Sequence, residues 1–353
     1  MIKIQTALKL DNSLLLNTKV EDLYNHLNKK IKNKENKFSV NSINYNVEKL
    51  KKQSKSIEYK SKFANDCHLT LKRQVDFYDY LITDGGLKIK EIVTSSPSNF
   101  RKIINEVNII LNQTDLYKLN DRGNITGQTK FGSLVSESIF KYKTYRSSKF
   151  CINLYQSIGL VNLACPYCNL ETISIIQSNN KGKMLLSLDH FYPKSLYPYL
   201  ALSFYNLIPS CHNCNSNIKQ DKNFTTETHI NPYLESFNEL YTFKLPKITL
   251  STLKAETITI ENLNLKPSDK TLSDLEIIGR YENIDLNEVN RLIKTFADYQ
   301  HYITDGKTDE FKKYIFQMHG VKQFKNEILN TPKSKLLRDI IKSFDVNNAL
   351  NLD

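Results

Sequence analysis

The chain has 353 residues and a mass of 41.0 kDa, with 40% hydrophobic and 10% aromatic residues, enough to bury a core in about two or three domains. Six cysteines are too few for a secreted disulfide scaffold, and no apolar run approaches the roughly 20 residues of a membrane span. The net charge is +12, and its distribution is uneven: residues 1–150 hold 27 Lys and Arg against 15 Asp and Glu, whereas residues 151–353 hold 22 of each. A basic region joined to a neutral one suits capture of a polyanion, the alternative being a general Lys/Asn bias of the chain.

In chain order, Ile2, Ile4, Leu8 and Leu10 alternate as in a half-buried strand. The opening MIKIQTALKLDNS lacks the charged-then-apolar form of a leader. Glu21 to Ile31 has helical spacing, and Lys29 to Lys37 reads as a solvated loop. Phe63–Ile82 is predicted as a helix stopped by Asp84-Gly85-Gly86, followed by a short strand over Lys88 to Val93. Pro97-Ser98-Asn99 leads into a helix over Phe100–Leu111, and Asp121-Arg122-Gly123-Asn124 with Gly127 marks a loop. Helical pattern returns at Leu134–Tyr142 and at Cys151–Leu160. Past residue 240, Phe243–Leu250 and Glu256–Leu263 are predicted to pair as strands. Asp285 and Glu288 have capping-box spacing ahead of a stripe of Leu286, Val289, Leu292, Ile293 and Phe296. Thr331-Pro332 opens a last stripe of Leu336, Leu337, Ile340, Ile341 and Phe344. These stripes are expected to be core. Three regions follow: a basic, mixed α/β region at 1–150, a motif-bearing region at 151–235, and a strand pair with helices at 236–353.

The middle region carries the chemistry. Cys165-Pro166-Tyr167-Cys168 and Cys211-His212-Asn213-Cys214 are two Cys-x-x-Cys knuckles, and four thiols from two tight turns suit a structural zinc tetrahedron. Such a centre requires reduced thiols, so a cytoplasmic protein is expected. Between the knuckles, Met184–Leu188 reads as a strand delivering Asp189-His190. Phe191–Ser195 reads as a loop, Asn206 opens a second short strand (Leu207-Ile208-Pro209), and Cys214–Lys219 begins a helix. Asp189, His190 and Asn215 are left for chemistry on a phosphodiester. His26, His68, His229, His301 and His319 have no evident partners and read as structural or surface residues.

Over residues 160–235 this arrangement resembles the HNH endonuclease superfamily, the ββα-metal nucleases with zinc knuckles. The resemblance implies an α+β fold with a ββα-metal core, flanked by the mixed N-terminal and mainly helical C-terminal regions. It implies that Asp189 is a metal ligand, His190 the general base, and Asn206 the residue that ties the loop so that His190 is aimed. The last motif position, often histidine in that family, is Asn215 here, and an amide oxygen suits Mg²⁺ or Mn²⁺ better than zinc. Lys194 and Lys219 are candidates to contact flanking phosphates, the alternative being ordinary surface lysines. The wider pattern, with Asn231-Pro232-Tyr233, is also similar to the HNH subunits of Septu-type bacterial anti-phage systems, which implies an ATPase partner; DNA is the leading substrate, although the sequence does not separate it from RNA. An RNA-cleaving (tRNA) effector and a non-catalytic zinc-knuckle binding module are the alternatives.

Overall fold

A computed structural model describes residues 3–4, 13–31, 34–160, 162–178, 181–263 and 265–353. The chain is mixed α and β, with helices surrounding small antiparallel sheets of two or three strands. Hydrophobic side chains from Ile4 to Leu352 join one continuous buried cluster, which includes all four knuckle cysteines. The three regions read from the sequence therefore share a core.

The N-terminal region is helical. Ser13–Leu27 packs against the long helix His68–Thr94, as does Ile43–Gln53. Ser42 and Ser56 cap their helices by accepting from the N–H groups of Tyr45 and Tyr59. The predicted stop at Asp84-Gly85-Gly86 is a kink: Asp84, Gly85 and Gly86 all take positive φ, and a Cβ on Gly86 would lie 2.2 Å from Asn44 Nδ2. Helix resumes directly, so Lys88–Val93 is helical rather than a strand. Ile89, Ile92 and Val93 are buried together on one helical face, and tertiary packing outweighs their β-branched preference. The lysine-rich stretch predicted as a loop contains two paired strands, Lys30–Ile31 and Lys34–Phe38. Of the predicted opening strand, Ile2, Leu8 and Leu10 lie outside the described residues. Ile4 has helical backbone, is buried, and donates its N–H to Pro232 O at 2.9 Å.

Phe100–Ile110 is helical as expected, and the 121–124 loop is the turn of a hairpin, Tyr117–Leu119 with Ile125–Gln128. In the C-terminal third, Tyr241–Lys244 pairs with Thr259–Asn262: the second strand lies inside the predicted segment, but the first shares only Phe243 and Lys244 with it, and Thr249–Thr252 is helical. Asn287–Tyr299 and Ser334–Phe344 bury the two predicted stripes, and Asp339 Oδ2 accepts the Phe243 N–H at 2.9 Å, tying the last helix to the strand pair.

Two glycines provide a test of packing. A Cβ on Gly132 would lie 2.1 Å from the Leu116 carbonyl oxygen, whereas one on Gly279, inside Ile277–Glu282, meets nothing within 4 Å. Gly132→Ala should lower stability by about 1–3 kcal/mol, and Gly279→Ala should be neutral or stabilising by up to about 1 kcal/mol, read as denaturation midpoints.

Candidate functional site

The two knuckles converge. The sulfurs of Cys165, Cys168, Cys211 and Cys214 all lie within 4.8 Å of one another and are buried. The polypeptide is folded around them: the N–H groups of Leu170, Cys211 and Cys214 donate to the sulfurs of Cys168, Cys165 and Cys211 at 3.3–3.4 Å. Four soft sulfur donors with this spacing fit a zinc ion. The knuckle is also braced from far along the chain. Arg280 Nη1 donates to Cys214 Sγ at 3.1 Å, its Nη2 donates to Glu171 at 2.8 Å, and Tyr281 OH donates to Cys168 O at 2.7 Å. Burial disfavours the charged Arg280 guanidinium, but the Cys168 and Cys214 sulfurs outweigh it and raise its pKa. Asn169 Nδ2 donates to Ile328 O, and its Oδ1 accepts the Lys335 N–H, so the C-terminal third is built onto the knuckle.

Beside the cluster, Ser187–His190 pairs antiparallel with Leu207–Ser210, placing Asp189 opposite Ile208 and His190 opposite Leu207. A short wide-turn helical segment, Asn213–Lys219, follows. The order strand, loop, strand, helical turn is the one expected from the sequence, although the last element is a single i→i+5 segment.

Asp189 is 2% exposed, and both of its oxygens are engaged: Oδ2 accepts from Tyr167 OH at 2.6 Å and Oδ1 from Lys219 Nζ at 3.1 Å. Lys219 is itself 1% exposed and also donates to His190 O at 2.8 Å. It was expected to meet a flanking phosphate, but it lies beneath the carboxylate as its counter-ion. Tyr167 stands between the first two cysteines, so the knuckle reaches Asp189 through one hydroxyl.

His190 Nε2 lies 3.0 Å from Ala201 O, which fixes the tautomer with the proton on Nε2 and leaves Nδ1 as an acceptor. The Tyr142 ring meets it edge-on at 4.4 Å, and Tyr142 OH donates to Leu188 O. Burial lowers the His190 pKa to about 3, with the positive charges of Lys194 and Lys219 acting in the same direction and the Ala201 carbonyl opposing them. The imidazole is therefore neutral near pH 7. Asn206, fully buried, spans the intervening loop: its Oδ1 accepts the Tyr192 N–H at 2.7 Å, and its Nδ2 donates to Tyr192 O and Leu200 O. Ala201, the residue after Leu200, provides the carbonyl that His190 uses.

Asp189, His190, Lys194, Asn215 and Asp221 line one open cleft of about 320 Å³ together with Tyr142. Lys194 Nζ lies 3.3 Å from Glu137 and 5.5 Å from the Tyr142 ring. Asn206 is behind the cleft and Lys219 beneath it. His212 is exposed on its knuckle. His229, read as partnerless, stacks on Phe224 and bonds Asp274 at 2.9 Å, outside the cleft lining.

A Septu protein PtuB from Bacillus thuringiensis is similar to this chain, with 29% identity over 123 residues. That stretch is 35% of this chain and 44% of that protein, so the chain matches less than half of its relative's length. No protein-family model and no solved structure matches the chain. The similarity marks a distant relation to a Septu protein. Among the described residues, no helix is long and apolar enough to cross a membrane.

Metal analysis should find about one zinc per chain, and Cys211→Ser should lose it and unfold the region at lower denaturant. Lys219→Ala should cost about 3–5 kcal/mol, because it strands a buried carboxylate, where loss of a surface lysine would cost under about 0.5 kcal/mol. Chemical denaturation of the two variants checks both.

Proposed function

We propose that the cleft is the active site of a metal-dependent HNH endonuclease that hydrolyses phosphodiester bonds in DNA, in bacterial anti-phage defence. The observation that carries this reading is His190: a neutral imidazole, its proton committed to Ala201 O, beside a carboxylate and an amide on one open cleft.

Phosphodiester hydrolysis needs an activated water and neutralisation of charge on the phosphoryl oxygens. His190 Nδ1 accepts the proton of the attacking water, and Ala201 O stabilises the imidazolium that forms. Asn206 holds that carbonyl in place by joining Leu200 to Tyr192. Lys194, on the rim, offers a positive charge to a phosphate adjoining the scissile one. The hard oxygens of Asp189 and Asn215 would hold Mg²⁺ or Mn²⁺, which when bound supplies Lewis-acid stabilisation of the developing charge. Each Asp189 oxygen accepts one protein hydrogen bond and keeps a further lone pair. Because Lys219 already neutralises Asp189, the protein alone is a weak divalent site, and phosphate oxygens complete it. The similarity to a Septu protein supports the defence role, and the Septu-type resemblance of the motif brings with it a partner ATPase.

His190→Ala should keep its zinc and its fold while losing about 100-fold or more of plasmid cleavage in Mg²⁺ or Mn²⁺. Purified protein incubated with plasmid DNA and with total RNA is the direct assay. Mild chelation should stop cleavage with zinc retained, and Mg²⁺ or Mn²⁺ should restore it. A well-folded His190→Ala variant that cuts like the parent would refute the mechanism.

A further inference from the structure

We propose that two cavities meeting at Glu137 form a track for the phosphate backbone of the DNA, leading into the His190 cleft, with the Glu137 carboxylate standing where a phosphate would bind. This deepens the nuclease reading and rests on it.

The first cavity, about 460 Å³, has Lys49, Lys62 and Lys141 in its lining; the second, about 970 Å³, has Lys29, Lys30 and Lys141. Glu137 and Lys141 belong to both, so the two are contiguous there. The junction also adjoins the candidate active site, because Tyr142 follows Lys141 and Glu137 Oε1 lies 3.3 Å from Lys194 Nζ, both residues of the cleft. The two linings together carry five lysines against Glu58 and Glu137.

The state of these lysines is informative. Elsewhere in the N-terminal region Lys51, Lys88, Lys90 and Lys102 are each paired with a carboxylate, while Lys52, Lys55 and Lys72 have no such partner among the described residues. Lys29, Lys30, Lys49 and Lys62 are exposed and have no carboxylate partner among the described residues. Unpaired cations along a concave wall concentrate positive potential, which attracts a polyanion. The rings of Tyr59, Phe140 and Tyr145 in these walls are buried. The half-buried Phe63 and the exposed His26 also line these walls, so it is the lysines, not an absence of rings, that favour phosphate contacts here.

Glu137 sits at the convergence. Its Oε1 accepts from Lys194 Nζ at 3.3 Å and forms a longer ion pair with Lys143 Nζ at 3.6 Å, so one carboxylate oxygen faces two ammonium groups, as a phosphate oxygen would. It is carried by the wide-turn segment Val135–Ile139, a backbone form frequent at functional sites. DNA entering the cleft displaces this carboxylate, so Glu137 weakens binding until a backbone phosphate replaces it.

The test is fluorescence anisotropy of a labelled DNA duplex across a salt series, without added Mg²⁺, using the full chain. Lys30→Gln/Lys49→Gln/Lys62→Gln should weaken binding about tenfold or more and make the slope of log affinity against log salt shallower by up to about 2.7, the value for three lost phosphate contacts. A control that removes equal charge from exposed C-terminal lysines, Lys247→Gln/Lys254→Gln/Lys270→Gln, should change both far less. Glu137→Gln should tighten binding several-fold. Equal losses in the two triple variants, an unchanged slope in the first, or no duplex binding by the parent protein would overturn the track. Unchanged or weaker binding by Glu137→Gln would overturn the role of that carboxylate. Plasmid cleavage is scored separately: lysine-dependent binding without cleavage defeats the nuclease reading and leaves the track, whereas cleavage with an unaltered slope defeats the track alone.

Discussion

Four sulfurs within 4.8 Å are the constraint on which the surrounding structure depends. Four thiolates brought so close repel one another, and a divalent cation converts that repulsion into cohesion. A zinc ion held by four thiolates would keep a net negative charge, and the Arg280 guanidinium on Cys214 would offset part of it. The cluster thereby recruits the C-terminal third: Arg280 meets the second knuckle at Cys214, and Tyr281 and the Asn169 bonds to Ile328 and Lys335 join the first knuckle or its neighbour. Were a metal bound there, its binding and the folding of the surrounding chain would be one equilibrium, on the general argument that a preformed site does not exist in the unfolded chain.

The same cluster reaches the cleft. Tyr167 lies between two cysteine ligands, and its hydroxyl bonds Asp189 at 2.6 Å. Lys219, at the end of the helical segment that starts in the second knuckle, bonds the other oxygen of Asp189 and the carbonyl of His190. Asp189-His190 is thus held from both knuckles, and Asn206 fixes the loop that carries Ala201. A side chain whose tautomer and direction are set by buried bonds has little left to reorganise when it meets a ligand.

Much of this was legible in the sequence. Two Cys-x-x-Cys pairs predict a metal centre because few other arrangements need that spacing, and the short apolar runs beside Asp189 and Asn206 predict the paired strands. The partners of the site were not legible. Spacing can place Lys219 on a helical turn, but it cannot say whether that turn faces solvent or a buried carboxylate; burial reversed its expected role. Tyr167 was visible only as a residue inside a knuckle, and Arg280, 66 residues beyond Cys214, had no local signal at all. Local pattern also misread Lys88–Val93, where the β-branched Ile89, Ile92 and Val93 suit a strand while packing against the core demands a helix, and Lys29–Lys37, where composition suggested a loop and Lys30–Ile31 pairs with Lys34–Phe38.

The charge arrangement of the cleft accounts for the uneven composition of the chain. Asp189 and Lys219 cancel, Lys194 is drawn to Glu137, and Asp221 adds a negative charge to the rim. A cleft so balanced attracts a polyanion weakly, because Coulombic capture needs an uncompensated excess of positive charge. That excess lies entirely in residues 1–150, and unpaired members of it line the cavities adjoining the cleft. On the proposed function, chemistry and capture would be separated in space: a near-neutral pocket in which a carboxylate and a neutral imidazole can survive side by side, and a basic approach that would hold the substrate there. Putting the capturing lysines inside the cleft would crowd the Asp189 carboxylate with ammonium groups and oppose a divalent ion, so the separation follows from the electrostatic requirements of the site itself.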